Sequence, residues 1–242
     1  MQPEINIGGL TIQTFGLALG VAFLVAGWMV AKRLGELRRN VDFAYEMVFA
    51  ALIGGLVGAK LWYLAENGGP LFSGTGLTFY GGLIGGALAV VGWAKYRGEL
   101  DLELADAVVP SLAAAYAIGR IGCQLAGDGD YGKDWDGPWA MSYPNGTVPI
   151  DTPVHPTPIY ETLVMGAFAL LLWRWRDRWQ PGTLTAIYVF GAGLERFLVE
   201  FIRRNDAIAL GLTQAQWVSI AMMLAGGAWL LIKRAAPKAR AA

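Results

Sequence analysis

The stretch Leu10–Ala31, LTIQTFGLALGVAFLVAGWMVA, contains no charged side chain and is followed at once by Lys32 and Arg33. A helix needs roughly 20 apolar residues to cross bilayer hydrocarbon, and a basic flank marks the surface at which it stops. Outward from this stretch, apolar runs recur at about 43–65, 77–96, 105–126, 158–173, 183–202 and 214–232. Of the 242 residues, 55% are hydrophobic and 16% charged, far from the average of a soluble domain. The pattern predicts an all-α integral membrane protein of seven transmembrane helices, forming a single helical domain over 1–242. Only the connection at 126–157 is long enough to build anything between spans.

Lysine and arginine are distributed unevenly. Lys32, Arg33, Arg38 and Arg39 follow the first span, Lys95 and Arg97 the third, Arg174, Arg176 and Arg178 the fifth, and Lys233, Arg234, Lys238 and Arg240 the last. The opposite side carries mainly Lys133, Arg203 and Arg204. The bias predicts an N terminus outside, a cytoplasmic C terminus, and an extracytoplasmic 126–157 segment. MQPEINIGGL has no basic leader and no cleavage-site pattern, so the N-terminal segment is expected to be retained. Formal charge sums to zero, which gives no bulk field for nucleic acid. One cysteine, Cys123, excludes an internal disulfide, and one histidine, His155, excludes a multi-histidine metal site.

Two spans are rich in glycine. Gly54 with Gly58, and Gly82 with Gly86, are four residues apart and predict faces where helix backbones approach closely. The connection GDGDYGKDWDGPWAMSYPNGTVPIDTPVHPTP is acidic, aromatic and full of turn formers, as an ordered cap over the bundle would be. Asp128 and Asp130 could open a calcium loop, but Gly132 stands at the fifth position and no glutamate closes the pattern; Asx turns account for these residues better.

Charges inside spans cost on the order of 3 kcal/mol each, so those retained face a cavity or the bundle interior. Lys60, Arg120, Arg196 and Glu200 are such residues. Arg196 and Glu200 are four apart and share a helix face, whereas Glu195 is rotated about 100° from Arg196 and is expected to be buried or to face lipid. Arg120 is flanked by Gly119 and Gly122, which remove side chains where something approaches the backbone. A structural ion pair and a snorkelling arginine would explain these charges blandly. Two guanidiniums at one membrane face also match a phosphodiester, which they bind through paired N–H donors. A lipid headgroup is the anion available at that depth.

GRIGCQLAGDGDYG (119–132), HPTPIYE (155–161) and GLERFLVEFIRRND (193–206), preceded by FYGGLIGG (79–86) and followed by LTQAQWVS (212–219), resemble the prolipoprotein diacylglyceryl transferase family. The resemblance implies an enzyme of the bacterial cytoplasmic (inner) membrane that moves a diacylglyceryl group from phosphatidylglycerol to the cysteine thiol of a prolipoprotein signal peptide, releasing glycerol phosphate. It implies no metal and no soluble cofactor, and as partners the lipid, the signal peptide and the bilayer. It puts Arg120 on the family's lipid-contacting arginine, Asp128 on the acidic residue that follows, Gly132 on the closing glycine, and Arg196 and Glu200 on the arginine and glutamate of the sixth span. Gly119, Gly122, Tyr160 and Glu161 join Arg120 and Gly132 as the expected substrate-binding set; Tyr80, Asp128, Arg196 and Glu200 form the expected catalytic set. The chain departs from the family in three residues: Tyr80 stands where histidine is usual, Phe15 where tyrosine is, and Cys123 where asparagine is. Its acidic stretch is also one residue longer.

Transfer to a thiol needs a thiolate, a positioned carbon and charge relief on the departing phosphate. Arg120 and Arg196 suit the last task, with Glu200 holding Arg196 and Asp128 orienting Arg120 or a headgroup hydroxyl. The proton acceptor stays open between Tyr80, Asp128, Glu200, a water and arginine-assisted ionisation, because a phenol with an ordinary pKa near about 10 is a poor base. Cys123 is read as a small packed residue and His155 as a hydrogen-bonding group entering the fifth span. Two other readings share these features: a lipid or anion transporter, and a phospholipid-binding paralogue without transfer activity. The charges gather toward one end without a matching inner set, which speaks against a through-pathway.

Overall fold

The computed structural model describes residues 1–68, 70 and 78–233. These contain seven α-helices: α1 Thr14–Glu36, α2 Asp42–Asn67, α3 Phe79–Tyr96, α4 Leu102–Ala126, α5 Thr157–Trp175, α6 Thr183–Val199 and α7 Gln214–Lys233. By length and composition α1, α2, α4 and α7 can each cross a membrane. The protein is therefore a mostly helical integral membrane protein. The first residue of the third expected span, 77, and the basic residues Arg234, Lys238 and Arg240 lie outside the described residues.

The first span begins later than its apolar run. Glu4–Ile7 (β1) and Leu10–Gln13 (β2) pair antiparallel instead, with Ile5 opposite Ile12. Gly8 and Gly9 have φ of 57° and 89°, the left-handed pair that a two-residue hairpin turn requires. A hydropathy window cannot separate such a hairpin from the helix that follows it.

The chain forms two compact units, Gly27–Leu104 and Met1–Ala26 with Ala105–Ala242. In the first, α2 and α3 meet along a glycine seam. A Cβ on Gly58 would strike the carbonyl of Gly81, one on Gly85 the carbonyl of Gly54, and one on Gly54 the Cβ of Ala89. The seam on α3 thus runs through Gly81 and Gly85, one residue before the expected Gly82 and Gly86, where a Cβ would find 3.5 Å and 3.2 Å of room. At one end of this unit Arg39 ties the α1–α2 turn to the segment after α3, with Nη2 at 2.9 Å from Glu99 and 2.8 Å from Asp101. Arg97 reaches Glu46 at 2.8 Å.

In the second unit, Val109, Ala113 and Ala117 of α4 pack against Met165, Ala169 and Leu172 of α5 and Leu184 of α6. The alanines of α4 leave space that Met165 and Leu172 of α5 and Leu184 of α6 fill. Asp106 holds the start of α6, accepting from the backbone N–H groups of Gly182 at 2.8 Å and Thr185 at 2.7 Å. Two glycines bring α6 and α7 together: a Cβ on Gly193 would meet Ser219 O at 2.9 Å, and one on Gly226 would meet Ala186 O at 2.7 Å.

Segment 126–157 is folded. Its strands β3 (Met141–Tyr143) and β4 (Ile150–Val154) pair antiparallel, and Tyr131 stacks on Tyr143 with centroids 5.0 Å apart. It is fastened to the end of α4 by Thr147 N–H donating to Ala126 O at 2.8 Å and Tyr143 OH donating to Gln124 at 3.0 Å. After α6 the chain tightens into a 3-10 turn, Glu200–Ile202, then a short hairpin of β5 (Ala207–Ala209) and β6 (Leu212–Thr213). Thr213 and Gln216 form a reciprocal cap for α7: Gln216 N–H donates to Thr213 Oγ1 at 3.3 Å, and Thr213 N–H donates to Gln216 Oε1 at 3.0 Å.

Candidate active site

Four elements of the second unit deliver charge to one place. Late in α4 stands Arg120; α5 supplies Glu161, its fifth residue; the last turn of α6 supplies Arg196; the 3-10 turn and the residue after it supply Glu200 and Arg203. Glu161, with a fully buried side chain, is the hub. Its Oε1 lies 3.3 Å from Arg120 Nη2 and 3.6 Å from Arg196 Nη1, its Oε2 lies 3.6 Å from Arg203 Nη1, and Tyr116 OH donates to Oε1 at 2.9 Å. Glu200 is held more tightly. It lies 2.8 Å from Arg196 Nη2 as an ion pair and accepts from Asn205 Nδ2 at 2.7 Å and Thr213 Oγ1 at 2.8 Å, so the α7 cap and the expected Arg196–Glu200 pair belong to one network.

The third carboxylate is Asp130, bonded on one oxygen by Arg120 and on the other by Arg203. Asp130, two residues after the expected Asp128, is the acid that pairs with Arg120. The loop geometry explains the exchange. Gly127 and Gly129 take φ of 59° and 92°, turning the chain so that Asp130 faces inward, while Asp128 Oδ1 accepts the N–H of Asp130 at 3.3 Å. Burial would raise the Asp130 carboxyl, but the Arg120 and Arg203 guanidiniums outweigh it and hold that carboxyl below its ordinary range. Asp128 goes the other way, raised by burial and by the charge of Asp130. Gly132 fastens the loop: its N–H donates to His155 O at 2.8 Å, Lys133 N–H donates to Ile202 O at 2.7 Å, and a Cβ at 132 would meet the His155 Cβ at 2.9 Å.

Three arginines face two buried acids, Glu161 and Glu200, and the half-buried Asp130, yet the pairing is incomplete. At 3.6 Å the Arg196–Glu161 contact is longer than a hydrogen bond. Among the described residues, Arg196 Nη1 and Glu161 Oε2 are buried without a hydrogen-bond partner. A buried guanidinium N–H left unsatisfied is a donor in want of an acceptor. Beside it runs a cleft of about 260 Å³ lined by Tyr160, Glu161, Val164, Glu195, Leu198, Val199 and Ile202. A second, of about 420 Å³, shares Val164, Glu195 and Leu198 with the first and continues along α5 and α6 over apolar residues.

The other expected residues are placed as follows. Tyr160 OH accepts from Trp139 Nε1 at 2.8 Å and lies 3.3 Å from His155 Nδ1; His155 stacks on Trp135 at 4.4 Å, so it has the hydrogen-bonding part expected of it. Gly119 has open space over its Cα, while the space over Gly122 belongs to α1, with Ala18 Cβ 2.8 Å from where a Cβ would stand. Cys123 is buried, 3.9 Å from Arg120 Nη1. Tyr80 is the second residue of α3 and 48% exposed, and Lys60 lies over the ring of Tyr63 at 5.6 Å; both belong to the Gly27–Leu104 unit. Sequence reasoning missed Asp130, Arg203, Tyr116 and Glu195 as members of the site. Arg203 had a signal: it stands three residues after Glu200 and seven after Arg196, on the same helical face.

Fold and site together define a multi-pass helical membrane protein that keeps three guanidiniums and three carboxylates in one cluster beside an apolar cleft. Residues 3–232 match the family model described as prolipoprotein diacylglyceryl transferase. The chain is 32% identical to the phosphatidylglycerol–prolipoprotein diacylglyceryl transferase of Methylobacillus flagellatus, over 94% of each chain. It is 32% identical to the enzyme of that name from Clostridium tetani, covering 93% of this chain and 95% of the relative. Against the one from Erythrobacter litoralis it is 30% identical, covering 93% and 87%. The chain belongs to the prolipoprotein diacylglyceryl transferase family.

Proposed function

We propose that this protein transfers the diacylglyceryl group of phosphatidylglycerol to the cysteine thiol of a prolipoprotein signal peptide and releases glycerol phosphate. The observation that carries the reading is the convergence of Arg120 and Arg196 on Glu161, with a buried Arg196 N–H unsatisfied beside the α5–α6 cleft. Apolar walls suit acyl chains, and the charged end suits a phosphodiester.

In this reading the phosphodiester takes the open donor of Arg196 and displaces Asp130 from Arg120, and Gly119 leaves room beside them. The thiolate attacks the glyceryl carbon that bears the phosphate. A sulfur–carbon bond forms, the carbon–oxygen bond breaks, and its electron pair goes to the departing phosphate. The guanidiniums are aimed where that charge grows and cannot lose their own, which lowers the barrier in a water-poor site. Glu200 and Glu161 keep Arg196 in place. Asp128, Tyr160 and the Gly132 turn shape the headgroup end, and Gly122 seats α1 on α4. The chain crosses the bacterial cytoplasmic membrane seven times with its N terminus outside. Segment 126–157 is then an extracytoplasmic cap, and the Arg39 and Arg97 end of the Gly27–Leu104 unit is cytoplasmic, as its basic residues favour.

Purified protein incubated with phosphatidylglycerol and a lipoprotein signal peptide should add one diacylglyceryl group to the peptide cysteine, read by mass spectrometry. Lipid binding without that adduct would mean a binding paralogue, and lipid flux across vesicles without it a transporter.

A further inference from the structure

The proposed reaction needs a group to take the thiol proton, and the acids of the cluster differ sharply in how free they are. Asp130 is engaged on both oxygens by Arg120 and Arg203. Glu200 forms an ion pair with Arg196 and accepts from Asn205 and Thr213. Glu161 is ringed by Arg120, Arg196, Arg203 and Tyr116. Asp128 accepts a backbone N–H within its own turn and lines neither cleft.

Glu195 is different. Like Glu161 Oε2 and Glu200 Oε2, its Oε1 is buried without a hydrogen-bond partner among the described residues; unlike those two acids it forms no ion pair there, and its side chain lines both clefts where they join on the α5–α6 face. Val164 and Leu198, which the two clefts share with it, offer no donor; Tyr160 and Glu161 line only the first cleft. The charges that reach it are Glu161, Arg120, Arg196 and Arg203, and its own charge is felt by Tyr116 and Tyr188. A buried carboxylate oxygen without a donor is costly to keep for packing alone. Placed beside the guanidiniums and facing the apolar channel, it stands where an incoming thiol would pass.

We infer that Glu195 is the proton acceptor for the attacking thiol, an inference that rests on the transferase reading. The S–H proton moves to Glu195 Oε1 as sulfur bonds to the glyceryl carbon, and the carbon–oxygen electron pair leaves with the phosphate. The departing phosphate monoester then takes the proton from Glu195, restoring the carboxylate and balancing the cycle. This gives the chain a base of its own where Tyr80 replaces the histidine usual in the family.

The test compares a cysteine peptide with the same peptide carrying selenocysteine, whose selenol is already ionised at neutral pH. Native protein transfers to both. Glu195→Gln should lose about 100-fold or more on the cysteine peptide and recover to within about tenfold of native on the selenocysteine peptide. Glu195→Asp, which keeps the carboxylate on a shorter arm, should retain intermediate activity. Phosphatidylglycerol binding, followed by tryptophan fluorescence, should persist in both variants and shows that they are folded. Glu195→Gln working within about threefold of native on cysteine overturns the inference while the transferase reading stands. An equal loss on both peptides overturns it too, since a positional defect ignores the ionisation of the nucleophile. Absence of transfer by the native protein brings down the transferase reading and this inference with it.

Discussion

Two regions of this protein solve the problem of close approach with opposite chemistry. In the α2–α3 seam, Gly54, Gly58, Gly81 and Gly85 delete side chains so that backbone meets backbone. Around Glu161, four elements bring in the longest charged side chains available and hold them by pairing. The seam is cheap, since it asks for no desolvated charge and lets dispersion act at short range. The charged cluster is expensive: each buried ion loses its hydration, and replacing such a cluster by apolar residues often stabilises a protein. A costly arrangement beside a cleft is the mark of function, and a cheap one that excludes everything else is the mark of scaffold.

The sharpest way to break that contrast is to remove an arginine. On the proposed reading Arg120→Ala should lower diacylglyceryl transfer by about 100- to 1000-fold, and Arg120→Lys should restore little of it, since an ammonium lacks the planar fork. Thermal unfolding should move far less than activity, because Asp130 keeps Arg203, and Glu161 keeps Arg196 and Arg203. The seam should behave in the reverse sense. Gly58→Val forces a side chain into the Gly81 carbonyl and should cost about 1–3 kcal/mol or more of stability, seen as a lower melting temperature with activity per folded molecule kept.

A smaller effect sharpens the comparison through pH. Asp130 is held below its ordinary range in the folded state. Its contribution to stability is therefore complete above the unfolded carboxylate value near about 4, and is lost as pH falls through the lower folded value. Melting temperatures of native protein and Asp130→Asn should differ at pH 7 and converge as the medium is acidified below that window. The smallest change is expected from Cys123→Ser: transfer within about twofold of native, as befits a buried thiol that fills space.

The helices were legible in the sequence because an apolar run of the right length has few alternatives. The α2–α3 seam was legible as glycine spacing, but its register on α3 is set by which carbonyl meets which Cα, and the pattern is nearly the same one residue on. The β1–β2 hairpin was hidden because Ile5, Ile7, Leu10 and Ile12 raise the same hydropathy signal as the helix after them. In the site, Arg120, Arg196 and Glu200 were each visible as charge in an apolar run, while Glu161 came only with the family resemblance of HPTPIYE. Asp130 was not, because its inward direction comes from the positive φ of Gly127 and Gly129 and from the Gly132 tie to His155, none of which has a period. Arg203 was read as a surface charge since it follows the last apolar residue; the 3-10 turn carries it back to Asp130.

The Asp130 bridge has a consequence for turnover. With one carboxylate spanning Arg120 and Arg203, the resting site already contains a tethered competitor for any headgroup that approaches Arg120. A phosphodiester gains only the difference between itself and a rival attached to the same chain, whose local concentration is set by a few residues of loop. Tight capture is sacrificed and quick exchange is favoured, which on the proposed reading keeps the anionic product from lingering.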